Sequence, residues 1–380
     1  MAEQLTSHAV ITEEMLAQVR SRIGKAMRPK VPYYNTIACR DAIVHFADGL
    51  GDPNPLYRDP AYAANTRYRR IVAPPSFLYS VYWPSGGVMG MGLPGIHGWH
   101  AGNDWEYFKP ILEGDIIDYE EVITDLSEKK GRSAGRIFIQ TSVVTYFNQR
   151  KEVIARAKGW MVRAERQAAG EKGKYKDLRR GSYTPEQMQA VYKTYDEEII
   201  RGANTRYWED VQVGEGVQPI VKGPLSVRDM IAWDMGAGTP FMKAHKIFYD
   251  YVRRHPRAVM IDHQTGQLDV PELVHMEETR AQEIGIAGAY DYGSQRISWL
   301  SNLLTNWQGD DGFLRKLYAE LRLFNVVGDT TWLKGRVVKK YVENGEHLVD
   351  IECWGENQRG EVTLPGRATV RLPSKAAGKK

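Results

Sequence analysis

The two halves of the chain end in the same short motif, and this internal repeat constrains the fold more than any other feature of the sequence. Residues 148–163 read NQRKEVIARAKGWMVR, and residues 357–371 read NQRGEVTLPGRATVR. A Gly-Asp pair precedes each copy, at 114–115 and at 328–329. Further upstream, CRDAIVHFADGLGDPNP aligns with VRDMIAWDMGAGTP when two residues are gapped. Three matches in the same order predict two copies of one structural unit, the alternative being a chance likeness between short amphipathic segments.

Each copy has the same predicted order of elements. A short helix leads to a second helix, then to a longer apolar helix, and finally to runs in which apolar and polar residues alternate as in antiparallel strands. The helices are predicted at 40–49, 60–67 and 75–83 in the first copy and at 228–235, 277–284 and 293–307 in the second. One long helix followed by strands predicts an α+β fold with a sheet wrapped around a helix.

The repeat divides the chain into two predicted domains. The first covers residues 1–165 and the second covers residues 206–380, with a charged linker and a helix at 166–205 between them. The second copy carries an insertion at 241–274 that the first copy lacks. An insertion of this length is long enough to act as a lid over a site.

Composition excludes several classes of protein. The net charge of +4 is spread along 380 residues, which argues against a nucleic-acid binder. Cys39 and Cys353 cannot form a disulfide framework or a cysteine-based metal site. His97 and His100 are three residues apart but lack a third ligand, so no metal site is expected. The acidic start of the chain and the absence of a long apolar run predict a cytoplasmic protein without a membrane span.

The segment from Phe46 to Leu78 carries the most specific motif. Asp52, Asn54 and Pro55 follow a helix that ends in Gly51, and taken alone this pattern is typical of a tight turn. Together with the short helix and the long apolar helix that follow, the motif resembles that of the MaoC-like (R)-specific enoyl-CoA hydratases. The resemblance implies a double hot-dog fold, with two antiparallel sheets each wrapped around a long central helix. It also implies an acyl-CoA substrate and neither a cofactor nor a metal.

The first copy departs from the family motif at two places. The family motif runs Asp-x-Asn-Pro-x-His, its Asp and His acting on a water molecule, and here Tyr57 stands at the histidine position. A phenol with a pKa near 10 is a poor proton shuttle at neutral pH. Pro74 and Pro75 occupy the start of the central helix, where the family uses a glycine amide, and proline has no N–H to donate. The resemblance makes Asp52 and Asn54 candidate catalytic residues, the two departures favour a structural copy of the site, and the sequence leaves open which copy holds the active site.

The second copy supplies the complementary groups. His275 lies opposite Tyr57 when the short helices are aligned, and Gly293 stands immediately before the long helix. Thr239 occupies the place of Asp52, so the carboxylate is expected from Asp234, with Asp269 and Glu272 as alternatives. His275 has the alternative of a structural, hydrogen-bonded histidine. The further candidates for lining a substrate pocket are Tyr57, Tyr290, Tyr292 and Arg296.

The resemblance implies an enoyl-CoA hydratase, a hydro-lyase of fatty acid or lipid metabolism. Two rivals remain open at this point: a hot-dog acyl-CoA thioesterase, and a non-catalytic acyl-CoA-binding or scaffold subunit, which the broken motifs of both copies favour. A homodimer is compatible with the sequence, which leaves the acyl group and the direction of the reaction open.

Overall fold

The computed structural model describes residues 10–28, 34–87, 93, 96–129, 136–165, 180–256, 259–262 and 265–378. In these ranges, helices α1 to α9 span Glu13–Arg20, Arg40–Leu50, Pro60–Ala64, Leu78–Val81, Pro185–Asp196, Val227–Ala237, His245–Arg254, Glu278–Glu283 and Gly293–Gln308. Strands β1 to β6 span Ala26–Met27, His97–Tyr107, Asp118–Lys129, Ile137–Phe147, Val153–Ala164 and Gly216–Lys222. Strands β7 to β12 span Met260–Ile261, Leu268–Asp269, Phe313–Glu320, Thr331–Glu343, Glu346–Asn357 and Val362–Arg371.

The strands of both halves join in one antiparallel sheet. Its order is β1-β3-β4-β5-β2-β9-β12-β11-β10-β6, and β7 and β8 pair separately. Strands β1 to β5 belong to the first unit and the remaining ones to the second unit. The junction is the pairing of β2 with β9, which runs from Gly102 opposite Glu320 to Glu106 opposite Lys316. The predicted α+β class with two antiparallel hot-dog sheets is confirmed, and the two sheets prove to be continuous.

Helix α9 is the central helix of the second unit. It packs against β6, β9, β10, β11 and β12, and also against β2 of the first unit. From Gln295 to Gln308 every residue is buried. A helix enclosed on all sides has no polar outer face, which explains why no simple amphipathic stripe is seen along this segment.

The central helix of the first unit is shorter than the sequence predicts. Instead of a helix over 75–83, a 3-10 turn at Pro75–Phe77 continues into α4, and Tyr82 is already extended with φ at −157°. The chain leaves the helix here because Pro84 packs directly onto Gly159 of β5. A Cβ atom at Gly159 would lie 1.8 Å from the Pro84 carbonyl oxygen. The prediction of a long helix in both units was therefore wrong for the first unit.

Helices α2 and α6 cross at the contact between the two units. A Cβ atom at Gly49 would lie 2.5 Å from the Ala232 carbonyl oxygen, and one at Gly236 would lie 2.3 Å from the His45 carbonyl oxygen. Each helix thus presents a glycine to the backbone of the other. The arrangement is nearly two-fold symmetric, as expected when two copies of one unit pack face to face.

The repeated Asn-Gln-Arg-x-Glu-Val motifs form the same hairpin turn. In the first copy, Asn148 Oδ1 accepts from the backbone N–H groups of Arg150 and Glu152 at 2.9 and 3.1 Å. In the second copy, Asn357 Oδ1 accepts from the corresponding groups of Arg359 and Glu361 at 2.9 and 3.1 Å. The sequence repeat therefore corresponds to a repeat of individual hydrogen bonds.

The linker and the insertion contain regular structure where they are described. Helix α5 lies within 166–205 and begins with a capping box, in which Thr184 and Gln187 each accept from the other's backbone N–H. The insertion at 241–274 contains α7, β7, β8 and most of a 3-10 helix at Pro271–His275. The domain boundaries themselves stay a prediction.

Candidate active site

The Asp-x-Asn-Pro turn of the first unit follows directly on the end of α2. Gly51 takes the left-handed conformation, with φ at 66°, and so ends the helix. Asp52 Oδ1 accepts from the backbone N–H of Asn54 at 3.0 Å, and Asn54 Oδ1 accepts from that of Leu56 at 3.0 Å. Asn54 thus caps the 3-10 helix Pro55–Tyr57. Both side chains hold the turn together.

The second oxygen of Asp52 is buried and has no hydrogen-bond partner among the described residues. Burial raises the pKa of Asp52 to about 6, and the Lys222 ammonium partly opposes this rise. Lys222 ends β6 of the second unit and donates its Nζ to the Gly51 carbonyl oxygen at 2.8 Å. The predicted carboxylate of the first copy therefore lies at the contact between the units and carries a raised pKa.

Tyr57 completes the motif of the first unit. Its side chain is buried, and burial, followed by the charge of Asp52, raises the pKa of the phenol well above its usual value. A cavity of about 50 Å³ lies beside it, lined mainly by apolar side chains and by Thr305 and Gln308 of α9. A cavity of this volume holds only a few water molecules. No described histidine lines it.

His275 is the last residue of the 3-10 helix Pro271–His275 in the second unit. Its Nδ1 lies 2.8 Å from the Tyr290 carbonyl oxygen. Because a carbonyl oxygen only accepts, Nδ1 carries the proton and Nε2 carries the lone pair. The ring stacks on Tyr292 with 4.0 Å between centroids. Burial lowers the pKa of His275 to about 4, so the imidazole is neutral at physiological pH and Nε2 keeps its lone pair as a weak base.

Two carboxyl groups lie beside the same tyrosine. The Tyr292 hydroxyl donates to Asp234 Oδ2 at 2.9 Å, and it also lies against Glu272. The Thr239 hydroxyl donates to Glu272 Oε2 at 2.6 Å. Burial raises the pKa of Asp234 to about 7. Burial first, and then the charge of Asp234, raises the pKa of Glu272 to about 8. At neutral pH this pair of carboxyls therefore holds a proton.

The amino end of α9 adjoins these groups. Gly293 is its first residue, directly after Tyr292, and the first N–H groups of any helix have no partner within the helix. A Cβ atom at Gly293 would lie 2.4 Å from Leu321 Cδ1 and 2.6 Å from His100 Nδ1. Glycine therefore lets the first unit approach the start of α9 closely. The first turn offers pre-aimed donors for a developing negative oxygen.

The remaining predicted residues are distributed as follows. Tyr290 is buried and contacts the His275 ring at 4.5 Å between centroids. Arg296 forms a fully buried ion pair with Asp291 and donates to the Leu323 carbonyl oxygen at 2.6 Å. These contacts fix the segment before α9, and they favour a structural role for Arg296 over the predicted role in substrate binding. Asp269 lies in β8, where its side chain accepts from the Val270 N–H at 2.8 Å.

The structure therefore brings together His275, Asp234, Tyr290, Tyr292 and the start of α9 at Gly293. Asp52, Asn54 and Tyr57 lie in a separate group in the first unit. Within the described ranges, no group of three or more metal-ligating side chains is arranged to hold a metal ion. No helix in this part of the chain is long and apolar enough to cross a membrane.

Comparison with known proteins identifies the family to which the chain belongs. Residues 31–157 match the family described as the FAS1-like dehydratase domain region. A UPF0336 protein of Thermobifida fusca is 33% identical over 116 residues, which cover 30% of this chain and 74% of the relative. The (R)-specific enoyl-CoA hydratase of Aeromonas caviae is 33% identical over 100 residues, which cover 26% of this chain and 72% of the hydratase. The chain belongs to the MaoC-like dehydratase family.

Two solved structures share the fold of this chain over nearly its full length. A MaoC-like dehydratase aligns with a TM-score of 0.66 at 16% identity over 93% of this chain and 99% of its own. A Mycobacterium tuberculosis protein with a double hotdog fold aligns with a TM-score of 0.54 at 9% identity over 92% of this chain and 96% of its own. The double hot-dog fold is thus shared over nearly the full length.

Tyr57 and His275 occupy corresponding places in the two units. In the first unit the short 3-10 helix ends at Tyr57, three residues before α3, and in the second it ends at His275, three residues before α8. Counting back three residues from Tyr57 gives Asn54, and counting back three from His275 gives Glu272. Sequence reasoning gave Glu272 only as an alternative because the insertion hides this correspondence. The count back from the short helix is the signal that identifies it.

Proposed function

We propose that this protein is a hydro-lyase that adds water reversibly across the 2,3 double bond of an enoyl-CoA thioester, in the site of the second unit. The relationship to an (R)-specific enoyl-CoA hydratase supports hydratase-type chemistry at the level of the family. The observation that carries the proposal is the tautomer of His275. With Nδ1 bound to the Tyr290 carbonyl oxygen, Nε2 is the basic nitrogen of a ring that stacks on Tyr292, and the Tyr292 hydroxyl in turn donates to Asp234.

The chemistry follows from these positions. In the thioester the carbonyl group polarises the alkene, so C3 is electrophilic. The neutral His275 takes a proton from water through Nε2 as the water oxygen attacks C3. The alkene electron pair moves onto the thioester oxygen, which becomes negative. The N–H groups of the first turn of α9, beginning at Gly293, stabilise that oxygen. A proton delivered to C2 completes the addition.

The first unit is expected to support this site without taking part in the chemistry. Tyr57 replaces the histidine of the motif, and the start of its short central helix is Pro74-Pro75. The Asp52 carboxyl instead faces Lys222 across the contact between the units. These departures argue against two equivalent active sites in one chain.

The test is hydration of a short 2-enoyl-CoA, followed by the loss of its conjugated ultraviolet absorbance. His275→Ala should lower kcat by about 10²–10⁴-fold, the usual contribution of a general base. His45→Ala is the matched control because His45 is exposed on α2, and it should keep the wild-type rate. If Asp52→Asn lost activity and His275→Ala kept full activity, the active site would have to be assigned to the first unit. Release of free thiol without loss of the alkene would identify a thioesterase, and binding without either reaction would identify a scaffold subunit.

A further inference from the structure

Glu272 shares the face of a 3-10 helix with His275. The helix spans Pro271–His275, and residues three apart in a 3-10 helix lie directly above one another. Backbone bonds from Leu273 to Val270 at 3.2 Å and from Met276 to Leu273 at 2.9 Å hold the segment in this form. The carboxyl group and the imidazole are therefore presented on the same side.

Every element around Glu272 contributes a group that bears on its charge. Helix α6 contributes Asp234, and the segment before α9 contributes Tyr292. The segment after α6 contributes Thr239, whose hydroxyl donates to Glu272, and Lys243, whose Nζ donates to the Thr239 carbonyl oxygen at 3.3 Å. Tyr251 of α7 lies close enough for the charge of Glu272 to raise the pKa of its phenol.

These surroundings do not supply a partner that keeps Glu272 ionised. The hydrogen bonds of Thr239 and Tyr292, and last the charge of Lys243, oppose the rise in the pKa of Glu272, but burial and the charge of Asp234 outweigh them. His275 is neutral and so adds no positive charge. A buried carboxyl beside a second carboxyl holds its proton because two like charges in a poorly solvated site cannot both be ionised easily. Such a carboxyl can donate its proton, and it lies on the same face of the 3-10 helix as the base His275.

We propose that Glu272 is the catalytic acid that delivers the proton to C2 of the enoyl thioester, with Asp234 as the positioning residue whose charge keeps it protonated. This assignment rests on the proposed function. Water gives one proton to Nε2 of His275 and its oxygen bonds to C3. The enolate electron pair then takes the carboxyl proton of Glu272 to form the C2–H bond. Transfer of the proton from His275 to the Glu272 carboxylate restores both groups, so one water molecule is consumed and nothing is oxidised.

The assignment gives the insertion at 241–274 a chemical role. Glu272, Lys243 and α7 all come from it, whereas the first unit has no counterpart of this segment. The insertion would therefore supply the proton donor of the second copy. Glu272 would take over the role of the Asp of the family motif, because Thr239 stands at the position of that Asp.

The test compares Glu272→Gln with Glu277→Gln in the full-length protein. Glutamine keeps an oxygen to accept from Thr239 but has no acidic proton. Glu272→Gln should lower kcat for hydration by about 10²–10³-fold with little change in KM, and Glu272→Asp should recover part of the loss. Glu277 is exposed directly before α8 and paired with Arg280, so Glu277→Gln should behave as wild type. Thermal melting of each variant checks that the fold is retained.

The pH profile separates a catalytic acid from a structural residue. Wild-type kcat should fall as the pH rises through about 8, because the acid must be protonated and its pKa is raised to about 8. Glu272→Gln should lose this alkaline limb. A Glu272→Gln rate within threefold of wild type, or an unchanged alkaline limb, would show that Glu272 is not the catalytic acid. The proposed function would still hold in that case, because the wild type hydrates the substrate. A wild type without hydration of any 2-enoyl-CoA would remove the proposed function itself.

Discussion

Asp52 and Asp234 are both carboxyl groups that folding removes from water, but their neighbours differ. Asp52 bonds its own turn and faces a buried lysine, whereas Asp234 accepts from a tyrosine beside a second carboxyl group. In both cases burial outweighs the favourable contacts and raises the pKa of the side chain. Only Asp234 has a neutral imidazole in the same group of side chains. The reactivity expected at each site therefore depends on the neighbours rather than on the acid.

The raised pKa of Asp52 has a measurable effect on stability. Its carboxyl titrates near 3.8 when unfolded and near 6 when folded, so the folded state binds more protons between these values. The free energy of unfolding must then fall as the pH rises from about 4 to 6 and stay at the lower level above. The Asp52→Asn variant has no carboxyl to titrate at this position, so its free energy of unfolding does not fall in this way. The asparagine side-chain oxygen can still accept from the Asn54 N–H.

We expect Asp52→Asn to be more stable than wild type at pH 7 by up to about 3 kcal/mol, from 1.36 kcal/mol per pKa unit, and nearly equal to it at pH 4. Urea unfolding at both pH values measures this. Asp125→Asn, at an exposed position of β3, serves as the control and should show no such dependence. A constant difference between Asp52→Asn and wild type at both pH values would contradict the assignment of the raised pKa to Asp52.

At the scale of elements, the crossing of α2 and α6 depends on two glycines. Ala at Gly49 or Gly236 would place a methyl group within 2.5 Å of a carbonyl oxygen of the partner helix. Backbone atoms cannot move aside as a flexible side chain can, so the helices must separate. Phe46 and Trp233, whose ring centroids are 5.4 Å apart across the crossing, would lose part of their contact.

We predict that Gly49→Ala and Gly236→Ala each lower the free energy of unfolding by about 1–3 kcal/mol, the usual cost of overpacking. Gly216→Ala in β6 is the matched control because a Cβ atom there has nothing within 4 Å. Chemical denaturation of the three variants gives the comparison. Wild-type stability in both crossing variants would show that the helices are free to shift.

The sequence predicted most elements correctly because each carries a local signal. The strands at 136–147 and 347–355 follow from alternation of apolar and polar residues, and helix α9 follows from its long apolar run. The short central helix of the first unit could not be predicted, because it ends where Pro84 meets Gly159, a contact between distant segments. The sequence alone makes Glu272 only an alternative, because its role too depends on contacts between distant segments. Its proximity to Asp234 and Tyr292 depends on how the insertion folds back.

At the scale of the whole molecule, two separate contacts unite the halves. One is the pairing of β2 with β9, and the other is the crossing of α2 with α6. Residues of both units share one hydrophobic core, which includes Phe46, Leu78, Trp105, Trp233 and Leu300. Neither half can lose its structure without exposing apolar surface of the other.

The protein should therefore unfold in a single transition. Differential scanning calorimetry should give a calorimetric enthalpy equal to the van't Hoff enthalpy, the mark of a two-state process. Two resolved transitions would mean that the units unfold independently in spite of the shared core.

The outer strands of the sheet limit how copies of this protein can associate. One end of the strand order is β1, which pairs with β3 through only two residues, and the other is β6, which carries Pro219 within GVQPIVK. A two-residue strand gives little backbone to recruit a neighbour, and proline removes one of the N–H groups that such recruitment needs. Neither β1 nor β6 is thus a good template for growth into a fibril.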